Sequence, residues 1–428
     1  MSINWFVATK ALFKPYVDNG IFWSYNLLIV ATFRENCMLD RHFQFILPKK
    51  QSAFLWGARQ TGKSYFLKER FKHSVFYDLL DTAEFLRLTK NPRLLREEVL
   101  ELSSLAIKHP IVIDEIQKVP QLLNEVHWLI ENTEAQFILC GSSARKLKTQ
   151  STNLLGGRAW LYHFFPLTSQ EIPEFNLLKA LQHGLLPKNY LCDTKHIDDN
   201  LKSYIETYLT DEIRNEGLVR NLAGFARFLD IAGISNTEMI NASNIATDCG
   251  VDRSTVNGFF QILVDTMLGF YIYPYRKKVK RDIITRAPKF YFFDVGVANY
   301  LKRQIISELR GAAAGSAFEH FILMELLAYI NKSRKRYDIT YWRSKSGLEV
   351  DFIIGQAQVA IEVKISTEVQ KKDLKGMIAF CEEHPAAKAF VVSQDVKPRR
   401  LSYNDNITIR VIPWRDFLIA LWSGTIIN

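Results

Sequence analysis

The sequence predicts a multidomain α/β chain that begins with a doubly wound parallel sheet, and three patterns carry that expectation. An apolar run, a glycine-rich loop and a helical stretch follow one another in "SAFLWGARQTGKSYFLKERF". Two later apolar runs, "IVID" and "FILC", stop on acidic and small polar residues. Beyond residue 310 the periodicities read helix, three strands, helix, strand. A chain of 428 residues suits two to four domains at roughly 100–200 residues each. With 48% hydrophobic and 23% charged residues, composition gives no support to a disordered or fibrous class.

Residues 1–37 form an extension that the patterns leave unassigned. Its apolar run, Ile21 to Phe33, is interrupted by Ser24, Tyr25 and Asn26 and is shorter than the ~20 residues of a bilayer span. No membrane segment is therefore expected, and Met38 is an equally sensible start for the first domain. The five cysteines, Cys37, Cys140, Cys192, Cys249 and Cys381, lack the spacing of a disulfide framework or a zinc cluster, so a reducing cytoplasm is expected.

The first domain, residues 38–170, carries the phosphate chemistry. Gly57, Ala58, Arg59, Gln60, Thr61, Gly62, Lys63 and Ser64 satisfy G-x-x-x-x-G-K-[ST], between a strand and a helix. Glycines let backbone N–H groups curl around phosphate oxygens, Lys63 reaches the β and γ phosphates, and Ser64 can ligate Mg²⁺. The expected cofactors are ATP and Mg²⁺. "PIVIDEIQ" then reads as a Walker B strand, with Asp114 on the hydrated metal and Glu115 orienting and deprotonating the attacking water. The run "AQFILCGSSARKL" ends at the same sheet edge, where Ser142 or Ser143 can sense the γ-phosphate. Arg158, before a further strand, is the candidate arginine finger for a neighbouring subunit; Arg145 competes with it, and a surface salt bridge is the alternative for either. A finger in trans implies a homo-oligomer.

Residues 171–228 show the 3,4-spaced stripe Leu201, Ile205, Tyr208, Leu209, Ile213 of a helical connector or lid. Residues 229–300 read as a helix, a turn at Cys249-Gly250-Val251, and a second helix capped by Asp252, with Ser254, Thr255 and Asn257 near its start. This resembles a winged helix, a DNA-contacting or protein-contacting module. Arg276, Lys277, Lys278, Lys280 and Arg281 alternate with apolar residues in the expected wing. Residues 1–270 hold 29 basic and 29 acidic side chains, whereas 271–310 hold ten and three. The whole excess of +10 therefore lies beyond residue 270. Such a stripe suits nucleic acid, with DNA as the expected partner, or else a solvated lysine-rich face.

In residues 301–428, Asp351 occupies one strand while Glu362 and Lys364 lie two apart at the next, on one face by the strand period. Charges in buried strands need neutralisation, so a divalent metal on Asp351 and Glu362, with Glu319 from the preceding helix as a third carboxylate, is expected. The D-x₁₀-E-x-K spacing resembles the PD-(D/E)XK, restriction-endonuclease-like nucleases, although Val350 stands where that pattern has proline. In that family the acids bind Mg²⁺ and the lysine helps activate water. Together "GARQTGKS", "IVIDEIQ", "CGSSARKL", "GGRAW", "PKFYFFDVGVANYL" and "EVDFII…AIEVK" resemble a bacterial and archaeal family of AAA-type ATPases whose C-terminal domain has a restriction-endonuclease-like fold. The resemblance implies an ATP hydrolase that couples nucleotide state to a DNA-associated, nuclease-like domain. The alternative is a signalling or scaffold ATPase with a catalytically inactive C-terminal module.

Overall fold

The computed structural model describes residues 39–103, 105–143, 155–192, 194–209, 221–276, 287–384, 387–404 and 407–427. The chain separates at residue 40 into Met1–Asp40 and Arg41–Asn428, and the elements below belong to the second unit.

Five strands, β1 (Ser52–Trp56), β2 (Phe76–Asp78), β3 (Ile111–Asp114), β4 (Phe137–Gly141) and β5 (Ala159–His163), form a sheet in the order β2-β3-β4-β1-β5. Every pairing is parallel. The apolar runs of the sequence fit this, because a parallel strand is covered on both faces and cannot alternate polar with apolar. Ala53, Leu55, Val112, Ile138 and Cys140 pack with Phe66 and Leu67 of the helix Lys63–Arg70. The alternate residues Phe54, Trp56, Ile113, Phe137 and Leu139 pack with Leu122, Val126 and Leu129 of the helix Leu122–Asn132. Since β4 lies between β1 and β3, the loops after all three leave one carboxyl edge side by side.

The next unit begins with the helix Leu177–His183 and includes three helices, Leu222–Ile234, Ala242–Cys249 and Arg253–Asp265. The expected turn is present: Gly250 closes the second helix at φ +65°, and Asp252 caps the third by accepting from the Thr255 amide. Phe225, Phe228, Phe259 and Phe260 knit them together, with Phe228 and Phe260 edge to face at 4.7 Å. Ala58 of the phosphate loop is buried in this same core.

The strands β6 (Gly269–Pro274) and β7 (Lys289–Phe292) pair antiparallel. They are not a free-standing wing. β6 also pairs in parallel with β8 (Ile339–Arg343), through Tyr273↔Thr340 and Pro274↔Tyr341. The hairpin thereby becomes one edge of an eight-stranded sheet, ordered β12-β13-β11-β10-β9-β8-β6-β7. The remaining strands are β9 (Glu349–Ile354), β10 (Val359–Val363), β11 (Lys388–Ser393), β12 (Arg399–Asn404) and β13 (Ile407–Pro413). The ladder runs across residue 300, where the sequence suggested a boundary. The expected order of helix, three strands, helix and strand is present, and a further hairpin and the helix Trp414–Trp422 follow it.

Among the described residues one helix, Gly311–Ser333, is long and apolar enough to cross a membrane. It packs here against the helices Leu177–His183 and Trp414–Trp422 and against β10. Its Glu325 carboxylate accepts from the Ser169 amide and hydroxyl and from the Trp422 indole N–H. One buried side chain thus ties the first domain to the last helix.

Candidate functional site

At the carboxyl edge of the first sheet the loop Gly57–Ser64 is held in a closed turn. Gly57 lies so close to the chain leaving β5 that an added Cβ would stand 2.3 Å from the Phe164 carbonyl oxygen. Gly62 adopts φ +93°, a conformation glycine takes without strain, at the entry to the helix Lys63–Arg70. The Thr61 hydroxyl donates to the Ala58 carbonyl at 2.8 Å. Lys63 is buried, and its ammonium donates to the carbonyls of Gly57 at 2.7 Å and Ala58 at 3.0 Å. The lysine thus spans the loop whose amides would cradle phosphate.

The Ser64 hydroxyl donates to Asp114 Oδ2 at 2.5 Å, which brings together the two residues expected around Mg²⁺. Beside them Glu115 sits in the left-handed region at φ 58°, ψ 41°. That geometry is uncommon for a non-glycine residue and recurs where a side chain must be aimed. Its carboxylate is buried and accepts from the Gln117 amide, and Ser142 Oγ lies 3.5 Å from the same oxygen. Gln117 also donates to Ser142 Oγ at 3.0 Å. The structure therefore joins Glu115 and Ser142 through one amide. Ser143 is fully buried.

Arg158 immediately precedes β5 at the amino edge of the sheet, opposite the phosphate loop, with its carbonyl accepting from the Ser52 amide. Its guanidinium pairs with Glu131, both half-exposed. Arg145 lies outside the described residues.

In the second sheet the register Ile361↔Phe352 places Asp351 opposite Glu362. Both are buried. Asp351 Oδ2 accepts from the Val363 amide at 2.7 Å, and Lys364 Nζ lies 2.5 Å from Glu362 Oε1. Burial pushes both carboxyls well above the usual carboxylate range; Glu319 adds to the effect at Asp351, and Asp351 at Glu362. Burial opposes the charge of Lys364, yet Glu362 and Asp351 outweigh it and raise the ammonium. Glu362 Oε2 is buried with no hydrogen-bond partner among the described residues, an orphaned acceptor of the kind a cation would satisfy. The pair therefore fits a divalent ion, but the third expected ligand does not join it. Glu319 is held by Lys289 Nζ at 3.2 Å and accepts from the Tyr291 hydroxyl at 2.5 Å. Among the described residues no group of three His, Cys, Asp or Glu side chains is arranged to hold a metal.

Of the expected basic stripe, Arg276 is exposed after β6. Lys277, Lys278, Lys280 and Arg281 lie outside the described residues. At the helix-turn-helix, the Ser254 and Thr255 hydroxyls both donate to Asp252. Their hydrogens serve the helix cap.

Residues 49–173 match the protein-family model described as AAA domain (AAA_14). This part of the chain is similar to AAA domains, and it holds the loop Gly57–Ser64 and the strand end Asp114–Glu115. Residues 174–308 and 314–417 match two further models, each described as a domain of unknown function (DUF8612 and DUF4143). An uncharacterized protein of Haemophilus influenzae is 21% identical over 360 residues, covering 77% of this chain and 86% of that one. Among solved structures, the ORC2 protein of Aeropyrum pernix in ADPNP-ADP complexes is 12% identical with a TM-score of 0.37, covering 59% of this chain and 86% of that chain. AMPPCP-bound DnaA from Aquifex aeolicus is 14% identical with a TM-score of 0.24, covering 58% and 89%.

Two residues around the phosphate loop and its acids were not singled out by sequence. Gln117 follows Glu115 by two positions, and only the short 3₁₀ turn Ile116–Lys118 brings it back over the carboxylate. Arg41 donates to the Thr61 carbonyl at 2.6 Å and to the Phe165 carbonyl at 2.9 Å, and pairs with buried Glu171 at 2.9 Å. The alternation Phe43, Phe45, Leu47, which packs on the β1 face with Phe66 and Tyr162, was the available signal that this segment is ordered.

Proposed function

We propose that the chain binds and hydrolyses ATP and couples the nucleotide state to a DNA-associated winged-helix and nuclease-like half. The observation that carries this is the convergence of Lys63, Ser64, Asp114, Glu115 and Ser142 on one sheet edge. Lys63 would exchange the Gly57 and Ala58 carbonyls for β- and γ-phosphate oxygens. Ser64 and Asp114 would hold Mg²⁺, which when bound neutralises charge on those phosphates. Glu115 would take the proton of the attacking water, its carboxylate aimed by Gln117 and Ser142. Because Ala58 is buried in the core of the following unit, a rearranged loop would be felt there directly.

The test is ATP binding and turnover by the full chain. Lys63→Ala should abolish binding, and Glu115→Gln should keep binding while losing turnover. Unchanged nucleotide affinity in Lys63→Ala would overturn the assignment. Assembly through Arg158 is part of the same proposal: mixing Arg158→Ala with Lys63→Ala chains should change turnover only if the arginine acts between subunits. DNA contact through the basic stripe predicts a salt-sensitive gel shift that weakens when Lys277 and Lys278 are replaced.

A second reading, a scaffold ATPase whose C-terminal half no longer cleaves, is favoured by one observation, the capture of Glu319 by Lys289 and Tyr291. A Mg²⁺- or Mn²⁺-dependent cleavage assay comparing wild type with Asp351→Ala and Glu362→Ala separates the two. Cleavage lost in both variants supports the nuclease. Equal activity in all three proteins assigns any cleavage to contamination.

A further inference from the structure

The C-terminal carboxylates are met by a cation from outside their own region. Lys289 belongs to β7, within residues 174–308, whereas Asp351 and Glu362 lie within 314–417. Its ammonium is buried and reaches across the sheet edge to two carboxylates, Glu319 at 3.2 Å and Glu349 at 2.5 Å. Glu349 lies two residues before Asp351 in β9 and so faces the same side of the sheet. Four acids, Glu319, Glu349, Asp351 and Glu362, thus share one neighbourhood. Lys289 is ion-paired with the first two and its charge is also felt at Asp351, while the orphaned Glu362 Oε2 belongs to the second two.

We propose that the C-terminal site is built for one divalent ion, on Asp351 and Glu362, and that Lys289 is a fixed ammonium standing where a second ion would bind between Glu319 and Glu349. The proposal rests on the metal-binding reading of Asp351 and Glu362. It follows from charge balance: carboxylates drawn partly out of water toward two buried ones need a neutralising partner, and an ammonium at ion-pair distance from Glu319 and Glu349 supplies it. Lys289 also makes the site composite. The hairpin β6–β7 carries it in, and β6 is bonded to β8, so a shift of this edge strand would alter the charge at the carboxylates.

The test counts Mn²⁺ bound to the nucleotide-free full chain by electron paramagnetic resonance, in an Asp114→Asn background that removes the ATPase-site ligand. This parent should bind a single ion, and Asp351→Asn should abolish it. Lys289→Met should admit a second ion that Glu319→Gln then removes, while Lys289→Arg should admit none. The methionine variant should fold, because Glu319 keeps the Tyr291 hydroxyl and Glu349 keeps Arg343 at 3.0 Å. Should it fail to fold, Lys289→Gln, which keeps a polar end of similar reach without the charge, takes its place with the same expected second ion.

A folded Lys289→Met chain that still binds one ion, or a parent that binds two, overturns the proposal and leaves the metal reading standing. A parent that binds no ion sensitive to Asp351→Asn overturns both.

Discussion

Replacing Gln117 with leucine should slow ATP turnover without weakening ATP binding. The amide of Gln117 donates both to the Glu115 carboxylate and to Ser142 Oγ at 3.0 Å. Leucine has similar bulk and no donor, so the change removes the hydrogen bonds without opening a large cavity. A hydrogen bond to a charged group contributes about 1.5–3 kcal/mol. If that energy holds Glu115 in its aimed rotamer, its loss at about 1.4 kcal/mol per decade lowers kcat roughly 10- to 100-fold. KM for ATP should change little, because Lys63, Ser64 and the loop amides are untouched. Gly141→Ala offers an independent check from the neighbouring strand. A Cβ there would stand 2.2 Å from Gln117 Oε1 and 2.6 Å from the Trp56 ring, so the amide must move and kcat should fall again. Steady-state turnover, with circular dichroism to establish folding, measures both. A folded Gln117→Leu chain with kcat within about two-fold of wild type would refute the aiming role.

Phe260→Ala should destabilise the middle unit by about 3–5 kcal/mol, since the ring is fully buried and meets Phe228 at 4.7 Å and Phe290 at 4.8 Å; a urea melt reports it. His320 should stay neutral in the fold. Burial lowers its pKa to about 4, and its contacts, Nε2 to the Phe292 carbonyl at 2.6 Å and Nδ1 to the Asn236 amide at 3.3 Å, suit an Nε2–H tautomer that accepts at Nδ1. Because the folded value lies below the unfolded one, its contribution is complete above about pH 6.5 and is lost as pH falls toward 4, on the order of 3 kcal/mol in all. His320→Gln should flatten that part of the stability profile, and an equal acid loss in wild type and variant would count against the assignment. Arg158→Ala should cost less than about 1 kcal/mol of stability, since its pair with Glu131 is half-exposed; a large loss of turnover beside that small change would mark a finger acting between chains.

The convergence of loop, lysine, serine and acids at the first sheet's edge was legible because its determinants are local. "GARQTGKS" fixes loop, lysine and serine within eight residues, and "IVIDE" fixes strand and acids within five. The helix-turn-helix was legible for the same reason, through Gly250 and Asp252. What escaped depends on distant partners. Nothing near Arg41 in sequence indicates that it will bind the Thr61 carbonyl, and nothing near Lys289 indicates Glu319 thirty residues on. Glu319 was named as a ligand from its place in a helix before the strands, but a carboxylate's partner is settled by tertiary packing. The pairing of β6 with β8 was invisible likewise, because parallel neighbours far apart in sequence leave no turn between them to read.

The contacts around the phosphate loop restrict how a nucleotide signal can leave it. Ala58 lies in the core that holds Phe225, Phe228 and Phe260, and Arg41 ties Thr61 to the segment Phe165–Glu171. That segment continues to Ser169, whose amide and hydroxyl both bind Glu325 in the long helix. The same helix carries Glu319, the partner of Lys289. Buried, close-packed contacts transmit a displacement more faithfully than solvated loops do, since interiors have few voids to absorb it. A loop that closes on phosphate therefore has two packed routes outward, through the three-helix core toward the hairpin β6–β7 and through Ser169 toward the long helix. Both routes reach elements that carry the Lys289–Glu319 pair, so under the proposed function that pair is where bound nucleotide would be felt by the C-terminal carboxylates. A metal titration of the full chain with and without bound ATP analogue should show such coupling in wild type, and Lys289→Met should lose it.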